Sequence, residues 1–181
     1  MKQQKYIFYC GKPNLLTSAK VNLESNYTLE IWRPKIYKIA PRGLFFKVFL
    51  IWWVFRYLGL FSSSNYRIFI IYHKKSGKVA HYSVVLPKHF RTPYMGKNDL
   101  QIGPVGTFKI HRRKGLASYA IQEILKFYKK QNSKFWYIVR KENEISRRCI
   151  EKMDFIAYGE GIKKKRFVGG LFDTYIIEKK F

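Results

Sequence analysis

The sequence predicts an α/β (α+β) fold in which helices flank a mixed, mostly antiparallel sheet. Two β-rich runs, Tyr66–His73 and Val79–Leu86, are joined by a turn ending in Gly77, which is typical of an antiparallel hairpin. A later apolar, β-prone run passes through a basic turn directly into a helical pattern, Leu116–Lys130. No repeat or low-complexity linker divides the 181 residues, so we expect a single domain, 1–181, with a real core.

The first part of the chain contains one predicted strand. Residues 1–26 have no clear pattern, and the sequence says little about their structure. Their short apolar run, Tyr6–Cys10, is too short for the core of a signal peptide. Tyr27–Trp32 is a β-rich run that ends before Pro34, and we predict a strand there.

The apolar segment 44–61 contains a predicted helix, Leu44–Leu60, because it is long and has no internal breaker. Its charges, Lys47 and Arg56, lie about half a turn apart around a helix, so it has no single polar face. We expect it to pack on the sheet and to leave Trp52 or Trp53 exposed for a partner or a membrane surface. The uninterrupted apolar stretch between its charges is too short to span a membrane.

The remaining elements follow the hairpin in chain order. Lys88–Asn98 is predicted as an irregular basic loop, and Asp99–Lys109 as a strand with a bulge or splay near Gly103-Pro104. We further predict a short buried strand at Phe135–Arg140, a short helix capped by Asn143 and extending to Met153 with Ile145, Cys149 and Met153 on one face, and closing strands at Phe155–Tyr158 and Thr174–Glu178.

The net charge of +25, with a pI of about 10.1, is far from zero. Such a field attracts polyanions: nucleic acid, anionic lipid or phosphorylated small molecules. The alternative is a biased composition that serves solubility, and the sequence does not decide between them. Cys10 and Cys149 form no spacing motif, so we expect a reducing, cytoplasmic environment. No Cys/His cluster has the spacing of zinc ligands, and we expect no metal.

The most informative stretch is the turn Arg112–Ala117. It carries three basic residues, then Gly115, and a helix pattern begins immediately afterwards. The first N–H groups of a helix have no intrahelical partner and bind anions, above all phosphate. Small residues at 115 and 117 would let a ligand approach the backbone closely.

This turn resembles the Arg/Gln-x-x-Gly-x-Gly/Ala motif of the GCN5-related N-acetyltransferase (GNAT) family. A second family motif begins about 30 residues later, in the expected strand–turn–helix–strand–helix context. Its positions here are Asn143, Ser146, Ile150, Lys152, Asp154 and Phe155. The close resemblance covers 99–161, residues 27–98 agree only in element order, and 1–26 do not agree.

The resemblance implies acetyl-CoA as donor, held where two neighbouring parallel strands, 99–109 and 135–140, splay apart. The pyrophosphate would lie on the N–H groups of the 113–117 turn. A free N–H near Thr107–Lys109 would polarise the thioester carbonyl, and Arg147-Arg148 would attract the nucleotide phosphates. The implied acetyl-CoA residues are Thr107, Phe108, Lys109, Arg112, Arg113, Lys114, Gly115, Leu116, Ala117, Ser118, Asn143, Ser146 and Arg147.

Two positions depart from the family pattern. Ile150 stands where many relatives carry an aromatic acid for the leaving group, and it has no proton to give. Water or another side chain must then protonate the thiolate, with Tyr158 and Cys149 as weak candidates. Asp154 replaces the glycine that closes the short helix in the family. This difference bears on whether the turn can form and not on the reaction.

An amine must lose a proton to react, so a carboxylate or imidazole is expected near the thioester. Asp99 would share one strand face with Gln101, in the region where family bases often occur. His81 lies in the neighbouring hairpin and could face the same cleft. We predict Asp99 and His81 as catalytic residues, with His111 in reserve. Their alternatives are a cap of the turn at Asn98 for Asp99 and a satisfied core histidine for His81.

The acceptor site should come from residues 33–65, 87–98 and 159–173, which are basic and aromatic. Aromatic rings stack on sugars and cations suit diphosphates, so we expect a phosphorylated amino sugar on a nucleotide or lipid diphosphate. Segment 42–61 loosely resembles the aromatic insert of small bacterial acetyltransferases linked to surface-polysaccharide synthesis.

Several alternatives to this acceptor and partner set remain. They are a protein or peptide acetyltransferase, a non-catalytic CoA-binding protein, and a nucleic-acid-binding module of the same fold. Nucleic acid is disfavoured because the chain has no RNA- or DNA-binding motif and its basic residues do not lie on one helix. A homodimer and a peripheral membrane contact through 44–61, at the inner face of the membrane, are further alternatives.

Overall fold

One sheet organises the chain, whose structure is a computed structural model that describes residues 4–12, 21–165 and 173–181. The strands are β1 (Lys5–Gly11), β2 (Tyr27–Trp32), β3 (Arg67–His73), β4 (Lys78–Pro87), β5 (Leu100–Thr107), β6 (Phe135–Arg140), β7 (Ile156–Lys164) and β8 (Thr174–Lys180). The helices are α1 (Phe46–Tyr57), α2 (Leu116–Phe127) and α3 (Glu144–Glu151). In the described residues the strand order is β2-β3-β4-β5-β6-β1-β7-β8. The predicted α/β class, with a mostly antiparallel sheet and a parallel pair, is confirmed.

Most predicted elements are present with shifted ends. β2 and β6 have the predicted bounds, and the hairpin forms as β3 and β4 around Gly77, whose φ is +62°. α2 ends at Phe127 rather than Lys130. β7 continues to Lys164, beyond the predicted strand end at Tyr158, and residues 166–172, between the two predicted closing strands, lie outside the described residues.

The structure contains an N-terminal strand that the sequence pattern did not indicate. Lys5–Gly11 forms β1, which lies between β6 and β7 and pairs antiparallel with both. Ile7, Phe8 and Tyr9 are all buried, because β1 is covered on both faces. A strand buried on both faces shows a continuous apolar run instead of an alternating pattern, and this run is too short to be distinguished by periodicity.

The helices cover the two faces of the sheet unequally. α2 and α3 lie on one face, where Ile121, Ile124 and Ile150 join the largest buried cluster. α1 covers β3 and β4 on the other face, with Phe49 packed against Ile68 and neighbouring strand residues. In the described chain, no helix is long and apolar enough to cross a membrane.

α1 packs on the sheet as expected, but its exposed residues are different from those predicted. Trp52 is half-buried and contacts the rings of Phe61 and His89. Trp53 is also half-buried, and its Nε1 donates to the Lys35 carbonyl at 3.0 Å. The expectation of an exposed Trp52 or Trp53 was therefore wrong, because a loop and a second aromatic cluster cover them.

The predicted apolar face of α3 was partly wrong. Ile145 is 85% exposed, whereas Ile150 is fully buried and Met153 nearly so. α3 ends at Glu151, and the chain leaves it through Asp154 at φ +59°. Asp tolerates this left-handed conformation better than most residues, so the turn forms without the family's glycine.

The central position of β1 predicts a large cost for truncating its core side chain. Phe8 is 0% exposed, and Phe8→Ala should lower the free energy of unfolding by about 3–5 kcal/mol through lost burial and a cavity. The matched substitution Phe45→Ala, at a ring that is 80% exposed, should change it by less than about 0.5 kcal/mol. Urea unfolding of both variants measures the difference, and equal losses would contradict the placement of β1.

Candidate active site at the splayed strand pair

The candidate site is the gap that opens between β5 and β6. These strands pair in parallel from Leu100–Phe135 to Ile102–Tyr137 and then separate. Beyond that point β5 keeps β4 as its neighbour, and β6 keeps β1. Among the described strands, no pairing joins the two inner edges across the gap, so a ligand with amide groups could pair there as an added strand would.

The sequence at the separation point explains the gap. Gly103 has φ +145°, a conformation that side chains rarely adopt. Pro104 has no N–H to donate to a neighbouring strand. The pairing of β5 with β4 is also irregular between Ser83 and Val85, as the predicted bulge requires. β5 therefore turns away from β6 while it remains in the sheet.

The far end of the gap closes on the basic turn. After a 3-10 turn at Lys109–His111, Arg113 and Gly115 adopt left-handed conformations, with φ of 63° and 68°. Gly115 is the N-cap of α2 and supplies no side-chain cap. The first N–H groups of α2, at Leu116 and the residues after it, therefore have no intrahelical partner, and the helix dipole places positive potential there.

The basic side chains of this turn are anchored differently. Arg112 Nε donates to the Thr107 carbonyl at 3.3 Å and so folds back onto the end of β5. Lys114 Nζ lies 5.6 Å from the centre of the Tyr27 ring, and its hydrogen bond with Tyr27 raises its pKa. Arg113 is exposed. The turn thus presents fixed cations beside the start of α2.

His111, the reserve base, lies beneath this turn. Its Nδ1 is 3.0 Å from the Tyr27 hydroxyl, and its ring is 5.4 Å from that of His73. Burial, then the neighbouring His73 and Lys114, lower the pKa of His111. Its hydrogen bond positions Tyr27, which in turn contacts Lys114.

The α3 residues of the predicted acetyl-CoA set bond within α3, to β1 and to the residue after β6. Asn143 caps α3 by accepting the Ser146 N–H at 3.1 Å. Arg147 donates from Nε to the Tyr9 hydroxyl and from Nη1 to the Lys141 carbonyl, both at 3.3 Å. These contacts tie Arg147 to β1 and to the end of β6, and none joins it to the 112–117 turn.

His81 is a fully buried histidine with both ring nitrogens occupied. Nδ1 lies 2.7 Å from the Thr107 hydroxyl, and Nε2 lies 2.8 Å from the Ser83 hydroxyl. Burial lowers the pKa of His81 to about 3. The imidazole is therefore neutral and holds β4 against the end of β5. The geometry favours a structural role for His81 over that of a base.

Asp99 also holds structural hydrogen bonds. Its Oδ2 accepts from the Gly96 N–H and from Trp136 Nε1, both at 2.8 Å. His81 pairs with Thr107, eight residues further along β5, so the two predicted catalytic residues lie on the order of 25 Å apart. The structure does not bring them into one site.

The N–H groups at the end of β5 are less available than expected. The Phe108 N–H donates to the Ala80 carbonyl at 3.0 Å, so it is not free to polarise a thioester carbonyl. The Thr107 hydroxyl is held by His81. The open edge of β5 is instead its middle, from Gly103 to Gly106.

Two polar groups lie at the apex of the gap: Gln101, to which sequence reasoning assigned no role, and Tyr94, which falls in the predicted acceptor segment 87–98. Gln101 pairs with Leu86 and Trp136, on the sheet face that carries α1. Gln101 Oε1 and the Tyr94 hydroxyl are buried and have no hydrogen-bond partner among the described residues. The available signal was a single amide residue in an apolar strand, two positions before Gly103-Pro104.

Aromatic rings form the wall around these atoms. The Tyr94 ring lies edge-on to Trp136 and to Phe8, with centroids 5.0 Å apart in each case. Tyr158 contacts the Trp136 ring from another side. Burial raises the pKa of Tyr94 well above its usual value, so its hydroxyl stays neutral and able to donate. Buried polar atoms without partners are rare in proteins and are often completed by a ligand or water.

Comparison with known proteins connects this geometry to a family. The acetyltransferase (GNAT) family profile matches residues 26–155. A GCN5-related N-acetyltransferase from Sphaerobacter thermophilus has a similar structure, with a TM-score of 0.61 and 13% identity over 88% of this chain and 50% of that one. No curated protein sequence matches the chain at a significant level.

Two further solved structures share the fold. One is a tandem GNAT protein from the clavulanic acid biosynthesis pathway, with a TM-score of 0.57 and 13% identity over 87% of this chain and 51% of that one. The other is an acetyltransferase from Colwellia psychrerythraea, with a TM-score of 0.53 and 11% identity over 86% of this chain and 53% of that one. The present chain spans about half the length of these structures.

Acidification should lower the free energy of unfolding through His81. Its pKa falls from 6.5 to about 3 on folding, so between these values the unfolded chain binds a proton that the folded chain does not. Above pH 6.5 His81 is neutral in both states and does not lower the free energy of unfolding. As the pH falls from 6.5 towards 3, protonation of His81 in the unfolded chain lowers it progressively. From about pH 7.5 to about pH 5, the loss from this one imidazole should be about 2 kcal/mol.

Urea unfolding at the two pH values, on the wild type and on His81→Asn, measures this loss. The variant should be less stable overall but should lack this part of the pH dependence. An unchanged dependence on pH would show that His81 is protonated in the folded chain.

Proposed function

Because this chain belongs to the acetyltransferase (GNAT) family, we propose that it transfers an acetyl group from acetyl-CoA to a primary amine. The observation that carries the proposal is the gap between β5 and β6, which ends on the left-handed Gly115 turn at the start of α2. When bound, acetyl-CoA supplies an activated thioester. The chain supplies binding and orientation.

The described residues fit the donor at both ends of the gap. The N–H groups from Arg113 to Ala117 and the charges of Arg113 and Lys114 suit a pyrophosphate. The open edge 103–106 suits the amides of an extended arm. Thr107, Phe108, Lys109, Arg112, Leu116, Ser118, Asn143, Ser146 and Arg147 remain proposed members of the wider donor site. No metal ligand group of three or more side chains occurs in the part of the chain that is described.

The reacting amine would enter from the α1 face, at the apex of the gap. Gln101 Oε1 is suited to accept a hydrogen bond from the amine, and the Tyr94 hydroxyl is suited to donate to a substrate oxygen. Gln101 is neutral, so it orients the amine and does not take its proton. Asp99 Oδ2 and both His81 nitrogens already have partners, so we propose that the proton leaves through water.

The leaving CoA thiolate must also be protonated by a group other than residue 150, where many relatives carry an aromatic acid. Ile150 is fully buried in the core beside α2. It has no proton to give and no route to the gap. We therefore propose that water protonates the thiolate, which makes turnover depend on access of water to the apex.

For the acceptor, we propose an amino sugar on a nucleotide or lipid diphosphate, in the cytoplasm. The half-buried Tyr94 and Tyr158 rings, which pack on Trp136, offer aromatic surface for a sugar. Arg91 lies nearby: its Nε donates to the Asp173 carbonyl and its guanidinium lies 5.7 Å from the Trp52 ring. A lysine-rich peptide is a poorer candidate, because residues 31–98 contain no acidic side chain to attract it.

Thiol release from acetyl-CoA tests the acceptor class. Nucleotide-linked amino sugars, lipid-linked amino sugars, small amines and peptides are compared at equal concentration. Turnover on the sugars supports the proposal. Turnover on peptides alone would favour a protein acetyltransferase, and CoA binding without turnover on any amine would favour a non-catalytic binding protein.

The Gly115 turn predicts a specific loss of donor binding. Gly115→Ala forces a side chain into the left-handed region, which costs about 1–2 kcal/mol and misdirects the N–H groups that follow. CoA affinity by calorimetry should fall about tenfold. Gly77→Ala, at φ +62° in the hairpin turn, carries the same strain and should leave CoA affinity unchanged. Equal effects of the two variants would contradict the donor site.

Replacing Gln101 should weaken only the reaction with the acceptor amine and not the binding of CoA. Gln101→Leu removes the unpaired Oε1, so kcat/KM for the amine should fall at least about tenfold while CoA affinity stays within about twofold. Gln131→Leu, at an exposed position, is the matched control and should have wild-type kinetics. A wild-type kcat/KM in Gln101→Leu would remove this residue from the acceptor site.

A further inference from the structure

An exposed apolar surface lies away from the sheet, on the outer side of α1. The turn Lys35–Lys38 projects Ile36 and Tyr37 into solvent, and Tyr37 is 82% exposed. Phe45 and Phe46, at the start of α1, are also exposed. We call this the α1 outer surface. Its exposed residues are Ile36, Tyr37, Phe45, Phe46, Leu50 and Tyr57, and the half-buried Trp53 lies on the same stripe of α1.

Two hydrogen bonds make this surface continuous. Trp53 Nε1 donates to the Lys35 carbonyl at 3.0 Å, and the Tyr57 hydroxyl donates to the Pro34 carbonyl at 3.4 Å. They hold the projecting turn against one stripe of α1. Phe46 and Leu50 continue that stripe at helical spacing, and both are exposed.

The opposite side of α1 packs against the sheet. Phe49 and Phe55 are buried, and Phe49 packs with the strand residues beneath it. The exposed outer side chains are therefore not part of this core. A contiguous exposed apolar surface on a folded chain usually marks an interaction site.

The segment of the chain that carries this surface has charges of one sign only. Residues 31–98 contain 13 lysines and arginines and no aspartate or glutamate. Those nearest the surface in sequence are Arg33, Lys35, Lys38, Arg42 and Lys47. Because this segment has 13 basic side chains and no acidic one, we expect the complementary partner to be anionic.

A partner that is both apolar and anionic is the interface of an acidic bilayer. Phe45, Phe46 and Leu50 gain by leaving water for acyl chains, and the flanking cations gain from lipid phosphates. Nucleic acid would satisfy the cations but would offer little to Ile36 and Leu50, which have no hydrogen-bonding group. We propose that the α1 outer surface docks the protein on anionic membranes, with α1 lying along the surface.

This proposal does not depend on the acetyltransferase activity, and its test measures binding separately from turnover. Co-sedimentation uses the full chain with vesicles of phosphatidylcholine alone or with roughly a third phosphatidylglycerol. We expect binding to the anionic vesicles, weakened by salt, and little binding to the neutral ones. No binding to anionic vesicles overturns the proposal.

Tyr37→Ser with Phe45→Ser tests the apolar contribution. Both side chains are exposed, so thermal unfolding and CoA affinity should stay unchanged while vesicle affinity falls at least about tenfold. The control is Ile145→Ser with Ile156→Ser, two comparably exposed apolar positions elsewhere, which should change vesicle affinity by less than about twofold. Equal losses in the two double variants would overturn the proposal.

Lys38→Glu with Lys47→Glu tests the charge contribution against Lys129→Glu with Lys130→Glu. Both pairs change the net charge equally, and only the first flanks the α1 outer surface. The first pair should reduce vesicle binding much more than the second. Two other results overturn the proposal: single-stranded RNA binding that needs Tyr37 and Phe45 while vesicles do not bind, and a dimer in sedimentation that these substitutions dissociate without any vesicle binding.

Discussion

The rest of the structure depends on the loss of pairing between β5 and β6 after Ile102. A continuous sheet would leave no edge for a ligand, and an isolated pair of parting strands would not be stable. β4 holds the outer edge of β5, and β1 holds the outer edge of β6. Each strand therefore stays ordered while its inner edge is open. The N-terminal strand thus contributes to the site by holding β6 in place and by packing Phe8 against Tyr94.

Hydrogen-bond satisfaction separates structural polar residues from the candidate functional ones. His81 and Asp99 are of the chemical type that catalysis uses, but their polar atoms are already bonded within the fold. Gln101 and Tyr94 are less obvious from their chemistry, yet they keep buried atoms without partners in the described chain. Because an unpaired buried polar atom is costly, the second pair is the better indication of where a substrate completes the structure.

Charge and apolar surface are distributed together along the chain. The acid-free stretch 31–98 includes α1, the loop before it and the loop 88–98 at the apex of the gap. The same stretch therefore carries the α1 outer surface and part of the proposed acceptor site. An anionic acceptor and an anionic surface would meet the same field, which is consistent with an acceptor carried on a lipid diphosphate.

The sequence by itself determined the features that depend on neighbouring residues: the hairpin at Gly77, the left-handed turn at Gly115, the cap at Asn143 and the separation of strands at Gly103-Pro104. Turn and cap preferences are local, so a few residues suffice to specify them. Only the tertiary structure decided that β1 inserts between β6 and β7. It also decided that Gln101 Oε1 and the Tyr94 hydroxyl have no hydrogen-bond partner among the described residues. It also decided the partners of His81 and Asp99, the cover over Trp52 and the exposure of Ile145. These depend on contacts between residues far apart in the chain, and a side chain's type does not reveal which partners the fold will bring to it.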